Sequence, residues 1–99
     1  DIRTEYDRRI KYLTSAIALI PDIAEYHGER GWAYHWRDEL DRALADYSRA
    51  IELDGENPDW YYLRGVAHKH SGDKKAARKD LQQAADMGHK AAQERLGRL

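Results

Sequence analysis

The chain has 99 residues, which allows one domain with a modest core. Hydrophobic residues make up 41% and charged residues 35%, too apolar for a disordered tail and suited to a thin, helix-rich fold with much surface. A net charge of -1 provides no global field for nucleic acid or an anionic membrane, the lack of Cys removes disulfides and thiolate chemistry, and no apolar run is long enough to cross a bilayer.

Thr4, followed by Glu5 and Asp7, reads as a helix start, with residues 1–3 frayed. Tyr6, Ile10, Leu13, Ile17 and Ile20 recur at helical spacing, so the first helix is expected over 4–19. Pro21 stops it. Asp22 with Glu25 resembles a capping box and opens a second helix that reaches Trp36. Asp38 is the expected N-cap of a third helix over 39–53. It carries Leu40, Leu44, Tyr47 and Ile51, with the small Ala43 and Ala50. Asn57-Pro58 pairs a capping side chain with Pro at the first helical position, and starts a fourth helix over 58–71. Gly72-Asp73 closes that helix and opens a fifth over 73–87, which Gly88 ends. A last helix is expected over 89–98, with Ala92, Leu96 and Leu99 on one side. Nothing alternates with period two, and the joining turns are too short for anything but antiparallel neighbours.

Shifted by 34 residues, the sequence falls on itself. Arg30 meets Arg64, Gly31 meets Gly65 and Ala33 meets Ala67. Ala43, Asp46 and Ala50 meet Ala77, Asp80 and Ala84. Small residues that survive such a shift mark places where helices must approach closely. A period of 34 residues with two helices is the mark of the tetratricopeptide repeat.

On Gly31, Tyr34, Ala43, Tyr47 and Ala50, and again on Gly65, Ala77, Leu81 and Ala84, the chain resembles the tetratricopeptide repeat family along almost its full length. The resemblance implies an all-α fold, an α-solenoid of antiparallel helix pairs with a C-terminal capping helix. One full unit is expected at 24–57 and another at 58–91. Leu13, Ala16 and Leu19 align with Tyr47, Ala50 and Leu53. Residues 1–23 therefore read as the second helix of an earlier unit whose first helix lies beyond the chain, and 89–99 as the polar cap that covers the last pair. On that reading the N-terminal end is cut and the C-terminal end is natural. The departures from the family pattern are Arg30 and Arg64 for the frequent Leu, His27 for Trp, and Arg9 for Ala.

In this family the first helices of successive units line a concave face. On the second helix, Glu25, Gly28, Trp32, His35 and Trp36 share a stripe, and on the fourth, Asp59, Tyr62, Val66, Lys69 and His70 do so. The expected partner-binding residues are therefore Glu25, Trp32, His35, Trp36, Asp59, Tyr62, Val66, Lys69 and His70. A partner peptide or helix would pack apolar groups on Trp32, Trp36 and Tyr62 and place a carboxylate on Lys69. Trp32 and Trp36 have a second reading, as core residues that pack on the absent helix of an earlier unit. Tyr26, Tyr34, Tyr47, Trp60 and Tyr61 read as inter-helix packing. Some family members hold an acidic C-terminal peptide with a clamp of Lys, Asn and Arg. The corresponding places here carry Gly28, Trp32, Tyr62 and Val66, so no acidic chaperone-tail clamp is expected.

No catalytic group, cofactor or metal site is expected. His68 and His70 point to different sides of a helix, a break separates His35 from Glu39, and there is no HExxH, Gly-rich phosphate loop or Ser nucleophile beside a base. The basic run Lys69, Lys74, Lys75, Arg78 and Lys79 is diluted by Asp73 and Asp80 and reads as a solvated face, not a nucleic-acid or membrane contact. The leading expectation is a protein-interaction scaffold. The alternatives are a structural segment that stacks on upstream repeats or weakly on another copy, and a regulatory array beside a catalytic domain elsewhere in a longer chain.

Overall fold

A computed structural model describes residues 1–98. Leu99, expected on the apolar side of the last helix, lies outside the described residues. Six helices follow one another: α1 Ile2–Leu19, α2 Ala24–Trp36, α3 Leu40–Leu53, α4 Pro58–His70, α5 Lys74–Asp86 and α6 Lys90–Leu96. Among the described residues there is no strand. The all-α helical-repeat solenoid expected from the sequence is the observed fold. Each helix packs on the next in the chain, most extensively within the pairs α2–α3 and α4–α5, and the result is a slab of 37 × 28 × 19 Å.

Small residues set these contacts. Ala33, Ala43, Ala50, Ala67, Ala77, Ala84 and Ala92 are completely buried, as are Tyr47 and Leu81. Ala43, Tyr47 and Ala67 form one cluster with Tyr34, Leu44 and Leu63 against them; Ala24, Ala50 and Trp60 form a second. Leu81, Ala84, Ala85 and Ala92 form a third, which α6 covers with Leu96. Leu44 packs inward, whereas Arg78, its counterpart 34 residues on, is exposed together with Lys74, Lys75 and Lys79. The outer face of α5 therefore carries charge where α3 carries apolar groups.

Several helix ends differ from expectation. α1 starts at Ile2, because Asp1 takes the N-cap and its carboxylate accepts from the Arg3 N–H; residues 2 and 3 are helical, not frayed. The Asp22–Glu25 capping box does not form. Ile23 occupies the N-cap without a side-chain bond, and the turn is tied instead by His27, whose Nε2–H donates to the Pro21 carbonyl at 2.7 Å. Asp38 is not an N-cap. It sits in the left-handed region at φ 65°, the place taken by Gly72 (φ 92°) and Gly88 (φ 91°) in the α4–α5 and α5–α6 turns. In all three turns the same pair of backbone bonds closes the helix: Glu39 N–H to Tyr34 O, Asp73 N–H to His68 O and His89 N–H to Ala84 O each span five residues, beside a shorter bond one residue earlier. Asn57 caps as expected, accepting from the Asp59 N–H, whereas Asp73, expected as the first residue of the fifth helix, is its N-cap and accepts from the Ala76 N–H.

The polar skeleton also repeats. Arg30 donates from Nε and Nη2 to the two carboxylate oxygens of Asp46, both at 2.8 Å, and from Nη1 to Thr14 Oγ1 at 3.3 Å. Thirty-four residues on, Arg64 makes the same fork to Asp80 at 2.6 and 2.8 Å and reaches Ser48 Oγ at 3.1 Å. Each arginine thus joins the helix before it to the helix after it. Asp46 and Asp80 are buried. The hydrogen bond to its aspartate is the main reason each guanidinium is held above its ordinary pKa, against the opposing effect of burial. Arg30 and Arg64 are therefore functional replacements for the apolar residue the family pattern favours.

Gly65 shows how close the helices come. A Cβ there would stand 2.9 Å from Leu81 Cγ and 3.2 Å from the Ala77 carbonyl. Ala is the better helix former by about 1 kcal/mol, but overpacking a fully buried Leu costs about 1–3 kcal/mol. Gly65→Ala should therefore lower the thermal midpoint by several degrees. Gly97→Ala, whose nearest atom would be Glu94 O at 3.4 Å, should leave it unchanged.

Candidate partner-binding surface

α2 and α4 lie side by side, with α1 on one flank and α6 on the other. The stripe expected on these helices separates into three groups. Trp32, His35, Trp36 and His70 come together. Tyr6 of α1 meets Trp32 edge-on at 5.8 Å, and Trp32 meets Trp36 edge-on at 6.1 Å. Trp36 stacks on His35 at 5.2 Å with ring planes 9° apart, and His70 of α4 closes the row at 6.5 Å from Trp36. Arg9 adds its guanidinium over the Trp32 ring at 5.7 Å. Trp36 stays 52% exposed despite these contacts. A large aromatic ring is thus fixed in position and open to solvent.

The second group is committed to α6. Tyr62 stacks on His89 at 4.4 Å, and its hydroxyl accepts from Arg95 Nε at 2.9 Å. Asp59 Oδ1 lies 3.1 Å from His89 Nε2. Because His89 Nδ1 accepts the Ala92 N–H at the start of α6, Nε2 carries the proton that faces Asp59. The groove face of α4 is therefore covered at this end by the capping helix.

The third group differs from expectation in exposure. His35 is 5% exposed and Val66 6%, so neither presents its side chain on the open face: His35 lies beneath Trp36 and bonds across to α4, and Val66 is buried in the α4 packing. Gly28 is buried too, because the Trp60 ring lies over it and would overlap any Cβ there. Glu25 is exposed in the first turn of α2, and Lys69 is half-buried near the end of α4. Tyr47 and Trp60 are buried, in line with the packing role read from the sequence, while Tyr26, Tyr34 and Tyr61 are half-buried.

With Trp60 folded over Gly28, a cavity of about 250 Å³ remains, lined by Arg9, Gly28, Glu29, Trp32, Trp60 and Leu63. A second, about 300 Å³, is lined by Ile2, Arg3, Tyr6, Trp36, Arg37 and Asp38. Trp32 and Trp36 thus each border a recess large enough for one bulky side chain. Arg37 at the second is pinned by Asp7 at 3.1 Å and Glu39 at 3.0 Å. Among the described residues no cluster of three or more His, Asp or Glu could hold a metal ion.

The His35–His70 contact was missed in the sequence. His35 Nε2 and His70 Nδ1 are 2.7 Å apart, between residues 35 positions distant. Spacing along one helix could not reveal it. The one signal was that Trp36 and His70 fall in register after the 34-residue shift, with His35 beside Trp36.

A TPR repeat model matches residues 31–72, and a tetratricopeptide repeat model matches residues 59–87. The chain belongs to the tetratricopeptide repeat family. Human serine/threonine-protein phosphatase 5 is 37% identical over 78 residues, which is 79% of this chain and 16% of that protein. The chain thus spans about one-sixth of the length of that relative. The Arabidopsis OM64 TPR domain superposes with a TM-score of 0.86 at 25% identity, over 96% of this chain and 83% of that one. The second TPR of Spaghetti (RPAP3), bound to the HSP90 peptide SRMEEVD, gives 0.80 at 28% identity over 83% and 76%. The expectation that an acidic chaperone tail is excluded is therefore unsupported, since a protein of this fold is bound to such a peptide.

The contacts of Tyr62 give a direct check on the cover. Tyr62→Phe keeps the stack on His89 and loses the bond from Arg95. Stability should fall by about 1 kcal/mol and amide exchange should rise through α6, with the Trp36 environment unchanged.

Proposed function

We propose that this chain is a protein-interaction module that takes a peptide or helix of a partner along the face formed by α2 and the end of α4. Repeats of this fold act as interaction scaffolds, and a relative of the same fold carries a bound peptide. The observation that carries the finer reading is Trp36, half exposed yet locked by a parallel stack on His35. Such a ring contributes large contact area at low entropic cost, the character of an interface anchor. Trp32 and Trp36 supply the apolar anchors, and the recesses beside them accept side chains of the partner. Lys69 and His70 form the polar end of the surface. Residues 24–57 and 58–91 serve as the two full units, 1–23 as the second helix of a preceding unit, and 89–99 as the cover. SRMEEVD, the peptide seen on the RPAP3 repeat, is a natural first probe.

A second reading concerns α1. None of its residues is buried, and Ile2, Tyr12 and Leu19 are 68%, 76% and 83% exposed. That face supports stacking on further repeats or on another copy. Sedimentation at rising concentration separates the readings, since a monomer throughout argues against self-stacking.

Peptides enriched on the intact chain from a random display library, together with SRMEEVD, provide ligands for the anchor test. Trp36→Ala should weaken their binding at least tenfold while the circular dichroism and melting curve stay close to wild type. Unchanged affinity would remove Trp36 from the site.

A further inference from the structure

Two histidines on different helices meet beneath the exposed anchor. His35 and His70 are 2.7 Å apart at Nε2 and Nδ1, their rings edge-to-face at 4.9 Å, and Trp36 lies parallel on His35. One proton must occupy the space between the two nitrogens. Its placement follows from burial. The other ring nitrogen of His35, Nδ1, is buried with no partner. A proton there would be a stranded donor, so His35 carries its proton on Nε2 and donates to His70 Nδ1. His70, exposed, keeps its proton on Nε2 toward solvent.

We propose that the His35–His70 hydrogen bond is a proton-operated latch, which when closed joins α2 to α4 beneath Trp36 and when protonated opens and releases the Trp36 ring from its stacked seat. A second proton on His70 must go to Nδ1, where it meets the Nε2–H of His35 head-on. A second proton on His35 must go to the buried Nδ1. Either event breaks the bond or strands a buried N–H. Burial, followed by the neighbouring His70, pushes the His35 imidazole down to about 4, with Asp38 opposing.

The charges around the pair favour an open state once protonated. His70 and Ser71 border a cavity of about 530 Å³ whose other walls are Asp38, Glu39, Leu40, Asp41 and Arg42, from the α2–α3 turn and the start of α3. An imidazolium at position 70 swung into this space would face three carboxylates. On α4 the adjacent charge is Lys69, and just past the end of α2 it is Arg37, itself held by Asp7 of α1 and Glu39. The sign follows directly. A histidine whose folded pKa lies below its ordinary 6.5 stabilises the closed form fully above about pH 6.5, and that contribution is lost as the pH falls from there through about 4.

The link from the latch to partner binding rests on the reading of Trp36 as an anchor, whereas the latch itself is tested without any partner. The indole N–H signal of Trp36, assigned with Trp36→Phe, is followed by NMR from pH 7.5 to 4.0 in wild type, His70→Asn and His70→Ala. Asn places an acceptor oxygen where Nδ1 stood and takes no proton. The wild-type signal should move with pH and that of His70→Asn by less than a third as much. His70→Ala at pH 7.5 should already resemble wild type at pH 4.0. Effects of pH elsewhere in the chain are common to all three proteins and cancel in the comparison. An immobile wild-type signal, or the same movement in His70→Asn, would overturn the latch and leave the partner surface untouched. For a library peptide bound by wild type at pH 7.5, affinity should fall tenfold at pH 4.0 in wild type and less than twofold in His70→Asn. A titrating latch with pH-independent binding would overturn only the link between the two.

Discussion

The structure depends on a forked ion pair used twice. Arg30–Asp46 and Arg64–Asp80 each place a buried carboxylate against a guanidinium between three helices, and each arginine also reaches a hydroxyl on the helix before it. An isolated buried ion pair is a poor source of net stability, because desolvation offsets the attraction. Its value here is in what it penalises. Any slip of one helix pair against the next leaves Asp46 or Asp80 buried and unpaired, at a cost of about 3–5 kcal/mol. The alanine contacts around it set how closely the helices approach, and the directional fork fixes register.

Register matters because the aromatic surface is assembled from several helices. Tyr6 and Arg9 come from α1, Trp32, His35 and Trp36 from α2, and His70 from α4. A one-turn slip would part His35 from His70 and remove the support beneath Trp36. At the far side α6 packs over the last pair. α6 follows a turn of the kind that joins helices within a pair, and it uses Tyr62 and Asp59 for its own docking. The outer face of α5 is charged, and Arg78 stands exposed where Leu44 of α3 packs inward.

Much of this was legible in the sequence. The 34-residue recurrence of small residues identified the helix pairs and the close approaches, because backbone proximity admits few side chains. A helix start set by one capping side chain and a following proline, at Asn57-Pro58, was readable. Ends set by backbone geometry were not: Asp38 in the left-handed region looks like a cap residue until the turn is seen. The repeating Arg and Asp were visible as recurrences, yet their pairing spans 16 residues and two helices, which no single-helix spacing encodes. The candidate surface was legible by stripe and not by exposure. His35, Val66 and Tyr62 share the stripe with Trp36, but what lies on top of each is decided by neighbouring helices. The family resemblance also suggested too narrow a range of ligands, since the missing clamp residues say nothing of other ways to hold an acidic peptide.

A double-mutant cycle on the second fork tests the organising role of these pairs most directly. Arg64→Met, Asp80→Leu and the double variant are compared with wild type by denaturant unfolding. The two single changes should each cost about 3 kcal/mol and the double much less than their sum, with a coupling of about 2 kcal/mol or more. Single costs that simply add would contradict the account, because the fork would then be two independent surface contacts and not the element that sets the register of the stack.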